Sequence, residues 1–382
     1  MNRQLLTNGR LFDGDSVYDD QAVLIDNGRI AEIVPAGRVP QNASVVDIGG
    51  HLLAPGLIDL QVNGGGGVLF NDTPTVEALQ AMLAAHRAHG TTACLPTLIS
   101  DNAKMMRQGI DAVAECLAGS CPGVIGIHLE GPHLNTDYRG VHDASQMRPL
   151  DDEAMALLSS LESGRTLVTL APETIATDII KRLTASGVIV FGGHSAATYE
   201  ETQAALGAGL SGFTHLFNAM SPLASRAPGM VGAALDDANS YVGIIADGHH
   251  VHPATLRIAI RAKARGKMCL VTDAMPTVGS ADKTFLLYGE KITATGGRCI
   301  TANGTLAGSD IGMIDAVRNV IRFGDVDLYE ALRMASSYPA AALGLADRLG
   351  YLRPGYRADL IELDDDLNVI RSWVQGDMES NT

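Results

Sequence analysis

Cysteine is scarce and unpatterned in this chain. Five cysteines occur in 382 residues, an odd number without CxxC spacing. A disulfide framework is therefore not expected, and a reducing compartment is. Basic residues are also few. The 28 Lys and Arg are outnumbered by 43 Asp and Glu, for a net charge of −15. That balance excludes a nucleic-acid-binding face, which needs clustered cations, but leaves room for one basic pocket around a small anion. No apolar run is long enough to cross a membrane, and "MNRQLLTNGRLFDGD" turns polar too soon for a signal peptide. A cytoplasmic protein without membrane or nucleic-acid partners is expected. Low-complexity tracts are missing too.

What is present is a long chain with 46% hydrophobic residues and 42 glycines. It exceeds what one small core needs, so a large barrel with a minor domain, or two medium domains, would fit. Residues 1–54 read as short strands punctuated by turns, with "DNG" between two apolar runs as a hairpin signal. Residues 346–382 read in the same way. Neither piece can bury a core well alone, and together they predict one small β-sandwich. Between them, residues 55–345 alternate strand and helix. Candidate strands are "LIDLQVN", "TACLPTL", "VIGIHLE", "TLVTLAP", "VIVFGGH", "GFTHLF", "VGIIAD" and "MCLVTD". Near-continuous apolar strands followed by helical patterns predict an α/β fold, a (β/α)₈ TIM barrel. After the eighth strand, residues 285–309 read as an inserted hairpin, and helix resumes at "MIDAVRNVIRF".

Catalytic groups of such barrels lie at the C-terminal ends of strands. Glu130, His194 and Asp273 end the third, fifth and eighth strands, His215 lies in the sixth, and His250 follows the seventh. Any single histidine here is more simply a core or loop residue. Two imidazoles and one carboxylate converging at one end make a His₂Glu set for a catalytic metal with an open position for water. Asp273 then remains as the proton carrier. Of the other histidines, His86 and His89 are expected to be solvated on the first helix. His252 is expected at the surface, and His128 packed inside the barrel. Cys94 and Cys269 read as small core residues.

The stretch "LAPGLIDLQVNGGGG" poses a separate question. It lacks GxxxxGK[ST] and does not continue as GxGxxG before a helix, so a phosphate loop is excluded. A tight turn across the barrel mouth remains. Gln61 and Asn63 share one strand face.

The motifs "APGLIDLQVNG", "GIHLEGP", "GGHS", "THLFNAM", "GIIADGHHV", "LVTDA" and "NGTLAGS" occur in an order that resembles the N-acetylglucosamine-6-phosphate deacetylases of the amidohydrolase superfamily. The resemblance covers nearly the whole chain, both terminal segments included. It implies Glu130, His194 and His215 as metal ligands, Asp273 as general base and acid, and His250 as the contact to the acyl carbonyl. It places His142 on a sugar hydroxyl, with Val141 beside it, and Asn218, Ala219 and Arg226 at the phosphate. Leu306, Ala307 and Gly308 match a substrate-contacting loop. His133 departs from the family, where Trp is frequent, and is expected near the pocket. Many amidohydrolases carry His-x-His where Gln61 and Asn63 stand. These amides keep the inward parity but make poor zinc ligands, so they are assigned to substrate or local hydrogen bonds. The resemblance thus implies one divalent ion per subunit, Zn²⁺, and hydrolysis of N-acetylglucosamine 6-phosphate to glucosamine 6-phosphate and acetate. It also implies a homodimer, since the phosphate loop of such enzymes can be completed across the interface. Two alternatives remain: an amidohydrolase for a related N-acylated sugar phosphate, and an inactive scaffold relative.

Overall fold

A computed structural model describes residues 3–381. The eight expected strands are all present and pair in sequence order as one parallel sheet. They are β1 (Leu57–Val62), β2 (Thr91–Ile99), β3 (Gly126–Glu130), β4 (Arg165–Leu170), β5 (Ile189–Gly192), β6 (Gly212–Phe213), β7 (Tyr241–Ile245) and β8 (Met268–Val271). A parallel bridge between Val62 and Ala274, just past β8, closes the sheet into a barrel. The strands are buried on both faces, which is why they read as continuous apolar runs rather than alternating ones. β6 is only two residues long, so His215 lies beyond the strand rather than within it.

Among the described residues ten helices follow or flank the barrel strands: α1 (Val76–Arg87), α2 (Ala103–Glu115), α3 (Asp152–Leu158), α4 (Thr177–Ala185), α5 (Tyr199–Gly207), α6 (Gly229–Asp236), α7 (Pro253–Ala262), α8 (Met313–Gly324), α9 (Leu328–Met334) and α10 (Ser337–Ala342). Their starts follow local chemistry. The Thr75 hydroxyl caps α1, and Thr198 forms a reciprocal capping box with Glu201 on α5. Phe70, Leu79, Leu98 and Ile110 are among the buried residues of the layer between strands and helices.

The terminal segments share one small β-domain, as expected. Gln4–Thr7, Gln21–Asp26, Arg29–Pro35 and Ser44–Asp47 form a four-stranded sheet. In the second sheet Leu52–Pro55 lies between Arg10–Phe12 and the C-terminal strand Leu360–Leu363. Trp373, Leu360, Val23 and Ile25 fill the space between them. The "DNG" hairpin forms, with Asn27 and Gly28 both at positive φ, as a type I′ turn requires.

Three expectations change. The segment after β8 is not a simple hairpin but a four-stranded antiparallel sheet: Thr284–Leu287, Glu290–Thr295, Arg298–Ile300 and Leu306–Ser309. His86 is not solvated. It falls on the apolar face of α1 with Leu79 and Met82, and its Nε2 lies 2.8 Å from the Gly64 carbonyl. His89, just past the helix, is half-buried 3.6 Å from Asp315. Cysteine pairing also departs from expectation: Cys116 and Cys121 are joined across a short irregular turn at the end of α2. Spacing alone hid that local link. Cys94, Cys269 and Cys299 are free and buried.

Candidate active site

After β5, β6 and β8 the chain turns sharply to present one functional side chain each. His194, His215 and Asp273 all sit at positive φ, at 48°, 31° and 52°. Left-handed backbone costs a non-glycine residue about 1–3 kcal/mol, so the surroundings must hold these conformations. They do so with backbone bonds: Asn135 N–H donates to the His194 carbonyl, Leu216 N–H bonds across to Gly243, and Asp273 N–H bonds to Gln61. Glu173, following β4, braces the same turn. It accepts hydrogen bonds from Ser195 Oγ at 2.5 Å, Ala196 N–H at 2.6 Å and Asn135 Nδ2 at 2.9 Å.

Glu130, His194 and His215 converge. Glu130 Oε1 is 3.2 Å from His194 Nε2 and 2.9 Å from His215 Nε2, and the two ring nitrogens are 3.0 Å apart. All three residues are buried. A tetrahedral ion with bonds of about 2.0–2.1 Å has edges of about 3.3 Å. The three donors therefore need to spread only by tenths of an ångström to hold a divalent cation. The electrostatics agree. Burial opposes charge on Glu130, but the facing imidazoles hold its carboxyl well below the usual range. Burial also opposes charge on His215, and the Glu130 and Asp273 carboxylates reverse that effect. The pocket thus favours positive charge between these groups. His194 Nδ1 donates to the Tyr138 carbonyl 2.9 Å away, which leaves Nε2 as a lone-pair donor to metal. The residues present fit a metal ion.

Asp273 stands beside this cluster. Burial and the Glu130 charge push its carboxyl up to about 6, against the pull of His215, His250 and the Asn63 amide. Gln61 Nε2 reaches both Glu130 oxygens, at 3.1 and 3.0 Å, and Asp273 Oδ1 at 3.1 Å. Asn63 Nδ2 lies 2.6 Å from the same Asp273 oxygen. Gly308 passes so close that a Cβ there would sit 2.7 Å from the Asp273 carbonyl. Glycine is required at that crossing.

These groups open into a cavity of about 380 Å³ lined by Asn63, Glu130, Val141, His142, His194, His215, Asn218, Ala219, His250, Asp273, Leu306 and Gly308. Ile99, Gly140, Met275, Gly304 and Thr305 also line it, and sequence reading had not singled them out. His142 has a defined tautomer. Its Nδ1 accepts from Ser100 N–H at 3.3 Å, so the ring hydrogen sits on Nε2. Burial and the neighbouring His194 lower it to about 3, leaving a neutral ring. The Asn218 amide donates to the His215 and Leu216 carbonyls.

Some expected residues fall elsewhere. Gln61 lies beneath the cavity and touches its carboxylates rather than lining it. Ala307 turns its methyl into the core of the inserted sheet, because alternate residues of a strand face opposite sides. Arg226 is exposed on the loop before α6, outside the cavity of its own chain, with no hydrogen bond or ion pair among the described residues. His133 is buried but lines a neighbouring cavity with Arg148 and Met106, its Nδ1 2.9 Å from the Arg148 carbonyl. His128 bridges Thr97 and Thr169 inside the barrel, as expected.

Known proteins resemble the chain over this whole architecture. The profile of the amidohydrolase family matches residues 52–379, and that of the NagA composite domain matches residues 5–53. An N-acetylgalactosamine-6-phosphate deacetylase from Shewanella sp. (strain ANA-3) is 45% identical over 85% of this chain and 82% of its own length. The solved structure of N-acetylglucosamine-6-phosphate deacetylase from Pasteurella multocida is 36% identical, with a TM-score of 0.95 over 99% of this chain and 100% of that one. A variant of the Mycobacterium smegmatis N-acetyl-D-glucosamine-6-phosphate deacetylase, solved in complex with N-acetyl-D-glucosamine-6-phosphate, is 33% identical with a TM-score of 0.91, covering 99% of both chains.

Proposed function

The chain belongs to the amidohydrolase family, and we propose that it hydrolyses the acetamide of N-acetyl-D-glucosamine 6-phosphate to D-glucosamine 6-phosphate and acetate. The convergence of Glu130, His194 and His215 beside Asp273, in one cavity, carries this reading. The cavity suits a small polar molecule, and the sugar phosphate bound by the mycobacterial relative supports the substrate class.

One divalent ion, Zn²⁺, held by Glu130, His194 and His215 would supply an acidified water and a Lewis acid for the acyl oxygen. Asp273 accepts the proton of the attacking water and returns it to the nitrogen, because an amine anion is an untenable leaving group. Asn63 and Gln61 hold one Asp273 oxygen by amide N–H groups. The second oxygen is thereby assigned to the proton transfer. His250 faces the acyl oxygen, and neutral His142 offers Nε2–H to a sugar hydroxyl. Asn218 and Ala219 flank the phosphate. Arg226, exposed beside exposed Leu223, reaches the phosphate of a second copy in a homodimer. Guanidinium suits that task through paired hydrogen bonds. A cytoplasmic place in amino-sugar breakdown fits this chemistry.

A second reading concerns the C4 epimer. The 45% identity to an N-acetylgalactosamine-6-phosphate deacetylase favours the galacto sugar as a rival substrate. Acetate release from both N-acetylhexosamine 6-phosphates and their unphosphorylated sugars, with metal analysis on the same sample, tests both readings. Turnover of the gluco phosphate with the higher kcat/KM supports the first. Preference for the galacto phosphate replaces it with the second, and no acetate from any of them overturns both.

A further inference from the structure

The sequence "IIADGHHV" places Asp247 just past β7 and three residues before His250. Gly248, at φ 77°, folds the chain back over Asp247. The backbone N–H groups of His249 and His250 both donate to Asp247 Oδ1 at 2.8 Å. Asp247 Oδ2 lies 2.6 Å from His250 Nδ1, and the carboxylate side chain is wholly buried. Burial opposes its charge, but the His250 ring and the two amides outweigh burial and hold the carboxyl below its usual range. An ionised carboxylate only accepts, so His250 Nδ1 must carry a hydrogen.

That constraint decides what the other nitrogen can do. His250 lines the reaction cavity, and its Nε2 is the nitrogen left free of Asp247. A neutral ring with hydrogen on Nδ1 presents a lone pair at Nε2, which repels an acyl oxygen. A ring that donates from Nε2 while bonded to Asp247 must be an imidazolium. His249 has no such partner: its Nε2 meets the Gly296 carbonyl, outside the cavity. The His250 ring in turn draws the Asp273 carboxyl downward.

We propose that Asp247 is a positioning residue that orients His250 and fixes it as a charged donor to the acyl oxygen, rather than a neutral one. The proposal rests on the deacetylase reading. Charge-assisted hydrogen bonds are roughly twice as strong as neutral ones, and the oxygen gains negative charge only as the tetrahedral state forms. The interaction therefore acts on kcat more than on KM.

The test uses Asp247→Asn, His250→Ala and the double variant in metal-loaded protein, reading kcat, KM, metal content and melting temperature. Asn keeps an oxygen for the two amides but turns N–H toward the ring, leaving a neutral Nε2–H donor. Asp247→Asn is expected to lower kcat by about 10–1000-fold with KM changed less than about threefold and metal retained. In the His250→Ala background it should cost nothing more. Asp247→Ser, which keeps one acceptor for the loop amides, serves the same comparison where the Asn variant does not fold. Losses that multiply in the double variant, or an unchanged kcat in Asp247→Asn, overturn the role of Asp247 while the deacetylase reading stands. A wild-type protein that releases no acetate overturns both.

Discussion

Asn63 Nδ2 lies 2.6 Å from Asp273 Oδ1, and Gln61 Nε2 approaches the same oxygen at 3.1 Å. Two side-chain amides at the end of the first barrel strand thus converge on one carboxylate just past the eighth. Imidazoles at these positions would hold a second metal ion. The amides instead give N–H donors to Asp273 and Glu130, supplying some of the stabilisation of negative charge that such an ion would provide. Removing one donor to a charged group costs about 1.5–3 kcal/mol. Asn63→Ala is therefore expected to lower kcat by about 10–100-fold while metal analysis still finds one ion per chain. Two ions per active wild-type chain, one of them lost on changing Gln61 or Asn63, would refute this assignment.

Asp273→Asn separates proton transfer from shape. Asn tolerates the left-handed backbone of position 273 better than most residues, so the turn survives. Metal and sugar phosphate should still bind, with kcat reduced by about 10²–10⁴-fold. In the wild type only ionised Asp273 accepts the proton, so kcat falls as pH drops through its pKa. Burial and Glu130 push that value up to about 6, and a bound cation draws it lower. The acid limb of kcat is expected at or below about pH 6 with metal content constant, and it should vanish in Asp273→Asn. A limb that persists in the variant would assign the titration to another group.

The barrel was legible because strands buried on both faces read as unbroken apolar runs, and short strands with the Asn27–Gly28 turn marked the small domain. Glu130, His194, His215 and Asp273 stood out because barrel ends concentrate such groups, whereas His250 could be told from its neighbour His249 only through the family resemblance. What escaped reading depended on contacts distant in sequence. His86 is buried by Gly64, although its spacing from Leu79 and Met82 carried a signal of the apolar face. The inserted sheet needed four strands to pair over some 25 residues, which local alternation cannot specify. Glu173, in the turn after β4, braces the turn that follows His194 through Ser195 and Ala196, and no motif links the two. Asp247 carried a local signal, an acid three residues before a histidine at a tight turn.

Arg226 tests the assembly. It is exposed and outside its own cavity, and the proposed function gives it the substrate phosphate of another copy. Arg226→Ala is expected to raise KM for the phosphorylated sugar at least about tenfold and to leave the unphosphorylated sugar nearly unaffected. Sedimentation should show a dimer. Mixing Arg226→Ala with Asp273→Asn should restore about a quarter of the wild-type sites, because a heterodimer holds one intact site assembled from both chains. No recovery on mixing, with dimers exchanging subunits, would place Arg226 outside the phosphate site.

Asp59 offers a stability test deep in the barrel. It is fully buried, accepting from the Gln61 and Thr272 amides at 3.1 and 3.3 Å, with Thr272 Oγ1 at 2.5 Å. Burial pushes its carboxyl from 3.8 up to about 7, against the pull of those bonds. The folded chain thus holds this proton more tightly than the unfolded chain. Below about pH 4 the group is protonated in both states and has no effect. Between about pH 4 and 7 the unfolded chain releases the proton first, so stability falls as pH rises, and above about pH 7 the loss is complete. Asn copies the protonated acid: its oxygen accepts from the two amides, and its N–H₂ donates to Thr272. Asp59→Asn should therefore match the wild type near pH 4 and exceed it at pH 8 by about 1–4 kcal/mol. Denaturant unfolding of both proteins at pH 5 and pH 8 checks this, the gap widening toward pH 8. A gap independent of pH would mean that Asp59 does not change its protonation on folding.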